Sequence, residues 1–567
     1  MSNNWSMPAQ NQRIKQLAYP LKGNLCMSKT RHTDSAIVTT SYCSKSYWLG
    51  IAILLLTLGT IRSTDAWEVQ PPAAEQSADD SNRNRKAERR AERQRQLAAQ
   101  PLLETVIEAD KLKHDFKLFR DILEQAHGGL YLHTSKEIFD SSFNAVSESL
   151  TKPMKVRDFN MLLAPLIDAT HCGHTSITIS NKQLDHFMKA GRLFPVPILF
   201  LGRKPYVDHD NVDLPLGAEI LTVNGIAMEE IVKKVLVLAP ADGLGKAMKY
   251  RTLPIDFDLA YALAYGEPKE FKISCLPLGA KEPIQKTLAA IPGKRTVALY
   301  ESRYSLKRKA KKFRYESLNE TTGLLTVNTF EFGINKKSKQ KYKDFLRDTF
   351  AALGGEEGKQ NLIVDIRENE GGYPKNEMML ASYLARKPFR EMQDAKVITV
   401  NIPAKEHLDR KEFPPSIIRY VEKQLVREFE KKDSDLYQVK EEINPQIQPR
   451  KTAYRGNLYV LTSGTTHSGA SSLCSLLREY PNVTFIGEET GGCSTAFTAG
   501  NLLVYNLPHS WCQIVVPVIR YETNLHGSKY PAHRGIVPDH PIEQTQKGFM
   551  EGTDAVLQFT LKLIKSS

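Results

Sequence analysis

The stretch Leu458-Tyr459-Val460-Leu461-Thr462-Ser463-Gly464-Thr465-Thr466-His467-Ser468-Gly469-Ala470-Ser471-Ser472 decides how the chain is read. An apolar run rich in β-formers gives way to glycine and small polar residues. Ala470, Leu473, Cys474 and Leu477 then recur at helical spacing. The pattern predicts strand, tight turn and helix, with Ser468 at or near the helix N-terminus. Amides are unpaired there and the helix dipole is positive, so developing negative charge is stabilised. A hydroxyl at that point, followed by the small residues Gly469 and Ala470, suits acyl transfer. It equally suits a serine N-cap on an ordinary crossover helix, and this segment alone does not separate the two.

Working outward, Asn361-Leu362-Ile363-Val364-Asp365-Ile366-Arg367-Glu368-Asn369-Glu370-Gly371-Gly372-Tyr373-Pro374 repeats the pattern. Pro374 suits a first helical turn, and Met378, Ala381 and Leu384 follow at helical spacing. Two β-turn-α units imply neighbouring parallel strands whose turns open on the same sheet edge. Glycine amides of one turn then face the serine of the other.

These two motifs, in this order, resemble the C-terminal-processing (tail-specific) serine peptidases, including the tricorn core protease and the interphotoreceptor retinoid-binding proteins. The family's aspartate-x-arginine-x-asparagine-x-glycine-glycine turn matches Asp365 to Gly372, and its threonine-x-serine-small-small turn matches Thr466 to Ala470. Gly487 to Gly492 matches a glycine-glutamate-x-threonine-x-glycine strand end. Gly535-Ile536-Val537-Pro538-Asp539 and Asp554-Ala555-Val556-Leu557 match the terminal pattern. The likeness spans roughly residues 105–565 and is strongest from 361 onward.

The resemblance implies an α/β fold, α+β overall. Its parts are an N-terminal helical domain (103–180), a PDZ-like β-rich segment (181–295) and a ClpP/crotonase-like core of β-turn-α units (315–567). It implies a serine peptidase acting on peptide or protein substrates, with Ser468 as nucleophile and no cofactor or metal. The oxyanion hole would be formed by Gly469 with Gly371 or Gly372.

Members of the family divide by general base. The tail-specific branch places a lysine in a turn after the serine; here that position is Cys493, and no lysine lies between Ser468 and Lys529. The histidine branch carries glycine-histidine-threonine after a helical domain, which Gly173-His174-Thr175 matches, so His174 is the expected base. The branch's glutamate is replaced by Ala532, leaving Glu522, Asp539 or Asp168 to orient His174, with Glu522 the first candidate. His467 and His533 are expected to be bystanders. His171 and His174 could form a metal pair, but no third ligand has recognisable spacing. The alternative function is a non-catalytic peptide- or lipid-binding protein on the same scaffold, by analogy with the retinoid-binding relatives.

The rest of the chain sets the context. A hydrophobic fraction of 41% supports a real core, and a net charge of +13 spread over 567 residues gives no nucleic-acid footprint. Tyr47 to Ile61 is an apolar run short of a comfortable membrane span and fits a signal sequence, with Thr64-Asp65-Ala66 as a cleavage site and Met27 as an alternative start. Residues 1–66 thus read as a targeting region and 67–102 as a basic linker. Export to the periplasm, envelope or exterior follows, with membrane anchoring by 47–61 as the alternative. Leu112, Phe116, Phe119, Leu123 and Ala126 predict one helix; Thr134-Ser135-Lys136-Glu137 opens a second, and Phe159, Leu162, Leu163, Leu166 and Ile167 mark a third. Leu216 to Gly225 carries the PDZ-like pattern, and 387–456 is a charged insertion with a helix-like stretch from Ile417 to Phe429. The seven cysteines show no framework spacing.

Overall fold

The apolar stripe of the first predicted helix is buried along its length: Leu112, Phe119, Leu123 and Ala126 are fully covered on α1 (Ala109–Ala126). This computed structural model describes residue 98 and residues 100–566, apart from 310, 333–335, 355–357, 434–435 and 526–529. The targeting region and nearly all of the basic linker lie outside the described residues. Among the described residues no helix is long and apolar enough to cross a membrane.

Ser135 caps α2 (Lys136–Ser149), accepting from the Ile138 amide at 3.5 Å. α3 (Val156–Asp168) buries Phe159, Leu163, Leu166 and Ile167 and ends in the turn that leads to β1 (Ser176–Thr178). β1 joins Gln513–Val516 and Leu503–Asn506 in an antiparallel sheet. The loop carrying His174 is therefore fixed by strands more than three hundred residues away.

The 181–295 region contains a six-stranded antiparallel sheet running from Ile198–Leu201 to Ile284–Ala289. It is less purely β-rich than the sequence reading expects. Two helices, Met228–Val235 and Ala247–Tyr265, cover the sheet, and the second kinks at Asp256 (φ −118°, ψ 18°), two residues after Pro254.

The core sheet runs Phe313–Ser317, β2 (Thr322–Val327), β3 (Asn361–Asp365), β4 (Asn457–Thr462), β5 (Val483–Gly487) and His540–Pro541. β2 to β5 are parallel, with Asp365 opposite Leu461. Parallel strands are covered on both faces, which explains the unbroken apolar runs. Ile363, Val364, Val460 and Leu461 are fully buried. One face packs α4 (Pro374–Leu384) and α5 (Gly469–Leu477), which also contact each other. The other face receives the C-terminal helix Ala555–Ser566.

The charged insertion is woven into the fold. Its strands Asp394–Val397, Phe429–Asp433 and Leu436–Val439 form one sheet with β6 (Ala496–Ala499) and β7 (Ile519–Glu522), and its helix spans Pro415–Glu428.

Candidate active site

Ser468 stands at the junction of β4 and α5 with φ 52° and ψ −126°, a backbone conformation that costs a non-glycine residue about 1–3 kcal/mol. It occupies the N-cap position, yet its hydroxyl makes no capping hydrogen bond. The ordinary N-cap reading of the sequence requires that bond. Here the turn is held by other groups. Thr466 Oγ1 donates to the Ile366 carbonyl at 3.0 Å, and Ser471 Oγ donates to the Thr466 carbonyl at 2.8 Å.

The glycine turn after β3 lies directly against this elbow. Gly371 (φ 95°) and Gly372 (φ 137°) adopt left-handed conformations, and a Cβ on Gly371 would sit 2.8 Å from Ser468 Cβ. Asn369 is fully buried and ties the parts together. Its Oδ1 accepts from the Gly371 amide at 2.8 Å, its Nδ2 donates to the Val327 carbonyl at 3.1 Å, and its carbonyl accepts from the His467 amide at 3.1 Å. The Gly371 amide is thus occupied. Among the described residues the Gly372 and Gly469 amides have no recorded acceptor. Of the two glycines left open by the sequence, Gly372 keeps a free donor.

The remaining motif residues are structural. Arg367 donates through Nε to Asp365 Oδ1 at 2.9 Å and makes two 2.8 Å bonds to Asp554, joining the β3 end to the C-terminal helix. Glu489 accepts from the Gly535 amide at 3.0 Å, and Thr490 Oγ1 accepts from the Ile536 amide at 2.8 Å.

His174 and Ser468 line one cleft of about 250 Å³. Its walls come from both glycine turns, β6, β7 and the insertion. Burial, and then the neighbouring His467 ring 4.6 Å away, push the His174 imidazole down to about 4, against the opposing pull of Asp242. His174 Nδ1 is buried without a hydrogen-bond partner.

The expected carboxylates are dispersed. Asp168 pairs with Lys249, and Asp539 pairs with Arg478 at 2.7 Å. Glu522 does line the cleft, but its Oε1 accepts from Lys396 at 2.7 Å and Arg520 at 3.2 Å. The carboxylate nearest the histidines is Asp242, which no local pattern marks beyond an aspartate-glycine turn. Asp242 Oδ2 lies 2.8 Å from His467 Nε2, and its Oδ1 accepts from the Gly173 amide at 2.6 Å. Burial opposes its charge, but His467 and these hydrogen bonds outweigh that and hold its carboxyl below the usual range. His467 thus stands between Asp242 and the His174 ring, 4.6 Å from the latter.

Cys172 Sγ, His174 and Asp242 place potential metal-ligand atoms within 4.8 Å of one another. A thiolate would be needed, and burial pushes the Cys172 thiol up to about 12 while its Sγ faces the Thr498 carbonyl at 3.3 Å. Cys493, at the position of the family's lysine, is fully buried against Phe497 and Ala499. No lysine lines the cleft among the described residues.

The α/β core thus sets a strained serine elbow directly beside a glycine turn. Residues 321–542 match the profile of peptidase family S41. That match covers the core region of the chain and supports a C-terminal-processing serine peptidase. Among solved structures, mature CPAF is 13% identical, with 81% of this chain and 98% of CPAF covered and a TM-score of 0.52. CPAF complexed with lactacystin is 13% identical, with 81% and 99% covered and a TM-score of 0.53. These likenesses concern the fold. No curated protein matches the chain significantly in sequence.

Proposed function

We propose that Ser468 is the nucleophile of this serine peptidase and His174 its general base. The supporting observation is the Ser468 hydroxyl, unspent on capping and held at a strained elbow packed against Gly371, in a cleft that Gly372 and Gly469 also line. Ser468 Oγ attacks the scissile carbonyl, and His174 takes its proton and returns it to the leaving amine, a role worth roughly 10²–10⁴ in rate. The Gly372 and Gly469 amides bind the oxyanion, each contributing about 3–4 kcal/mol to the transition state. Asp242 supplies negative charge beside the imidazolium; Glu522 is the alternative orienting carboxylate from the far wall.

A serine-directed fluorophosphonate tests the assignment. The expected result is one adduct at Ser468 that is absent in Ser468→Ala. Folded protein that stays unlabelled and does not cleave peptides would instead fit a peptide- or lipid-binding protein, a reading favoured by the unpartnered His174 Nδ1. The apolar run Tyr47–Ile61 and the small residues after it further support export, with the mature chain starting shortly after Ala66. N-terminal sequencing of exported protein checks this; retained Met1 or Met27 on membrane-bound material points to anchoring.

A further inference from the structure

Glu377 lies in the first turn of α4, is 3% exposed, and lines the cleft that holds Ser468. Its Oε2 fills the space that a side chain on Gly469 would need, so the carboxyl sits immediately beside the elbow. Its Oε1 is buried and has no hydrogen-bond partner. A second carboxyl, Glu391, lines the same cleft. Burial pushes Glu377 well above the ordinary carboxylate range, and the charge of Glu391 pushes the same way. Burial, with Glu428 adding to it, raises Glu391 to about 6, a shift that Lys375 opposes. Two buried carboxyls in one cleft, one of them beside the serine elbow with an unanswered oxygen, are a costly arrangement that a bound cation would relieve. Phe413, Ile417 and Val421 from the insertion give the cleft an apolar stretch of wall. A lysine or arginine side chain matches such a site, because its aliphatic stem packs on apolar walls while its tip reaches a carboxylate.

Resting on the assignment of Ser468 as nucleophile, we propose that this cleft is the subsite for a cationic side chain on the residue whose carbonyl is attacked, with Glu377 and Glu391 as its specificity-determining carboxylates. Glu522 contributes less, since Lys396 and Arg520 already answer its charge.

The test compares matched peptides carrying lysine, glutamine or norleucine at that position, with fluorophosphonate labelling of Ser468 run on the same preparations. In the wild type, kcat/KM for lysine should exceed that for norleucine by roughly tenfold to a hundredfold, the range expected when a buried polar group loses its partner. That ratio should fall at least tenfold in Glu377→Gln and in Glu391→Gln. Two independent substitutions guard against one that fails to fold. Equal cleavage of lysine and norleucine peptides by labelled wild-type enzyme overturns the subsite while leaving the nucleophile in place. A loss in Glu377→Gln that is the same for all three peptides also overturns it, and would make Glu377 a group acting at the reacting carbonyl. Absence of both labelling and cleavage overturns the nucleophile assignment, and the subsite with it.

Discussion

Ser468 carries two opposed demands. Its φ of 52° is unfavourable for any side chain, while its hydroxyl contributes nothing to the cap. Ser468→Ala should therefore abolish peptide hydrolysis with little change in the unfolding midpoint, and residual cleavage within tenfold of wild type would sink the nucleophile assignment. Ser468→Gly should be equally inactive yet more stable by about 1 kcal/mol, because glycine relieves the strain; urea denaturation reads the difference. His174 sets the pH response. Since burial lowers its imidazole to about 4, the base-competent neutral form persists well below the ordinary value of 6.5. The acidic limb of kcat/KM should accordingly fall near pH 4, and His174→Ala should lower kcat by two to four decades. Asp242→Asn removes the charge that favours the imidazolium, so it should cost more activity than Glu522→Gln. The reverse order would return the orienting role to Glu522. Cys493→Ala should leave activity nearly unchanged, as its thiol lies in an apolar cluster.

At the scale of elements, the site depends on two β-turn-α units being locked face to face. Asn369 does this from one residue: its side chain joins β2 to the glycine turn, and its carbonyl holds the serine elbow. Asn369→Ala leaves a buried amide and a buried carbonyl unsatisfied. It should cost about 2–6 kcal/mol, from roughly 1–3 kcal/mol per orphaned group, and should lower activity together with stability. Urea denaturation gives the first value and peptide hydrolysis the second. Arg367, in the same motif, works at longer range by clamping the β3 end to Asp554.

The whole molecule stores an acid sensitivity in its neutral histidines. His127 is buried beside the active-site loop; its Nδ1 accepts from the Gly129 amide at 3.2 Å and its Nε2 lies 2.7 Å from Thr175 Oγ1. Burial pushes it from the ordinary 6.5 to about 3. Above pH 6.5 both folded and unfolded states are neutral there, and no stability is at stake. As pH falls below 6.5 the unfolded state takes up a proton that the folded state refuses, so stability is lost down to about pH 3. Replacing it by His127→Gln should shrink the stability difference between pH 7 and pH 5 by about 2 kcal/mol, from 1.36 kcal/mol per pH unit. Urea midpoints at the two pH values measure this.

Much of this was written locally. The apolar runs of β3 and β4, the glycines after β3 and the small residues around Ser468 announced two parallel β-turn-α units, because strand burial and tight turns leave periodic and compositional marks. The stripe Leu112, Phe116, Phe119, Leu123 and Ala126 announced α1 for the same reason. The long helix Ala247–Tyr265 was not announced, since its apolar residues surround it instead of forming one stripe, as suits a helix buried on most sides. The insertion 387–456 gave no hint that its loops and helix would line part of the cleft. Nor did anything local mark Asp242, Glu377 or Glu391, whose meaning lies in what surrounds them. Sequence alone thus marked the core's β-turn-α elements, the family resemblance and Ser468 as the candidate nucleophile, because these depend on neighbours along the chain. Only the tertiary structure decided which amide stays free, which carboxylate meets the histidines and what lines the cleft. Those depend on burial and on partners up to hundreds of residues distant, which no local pattern records.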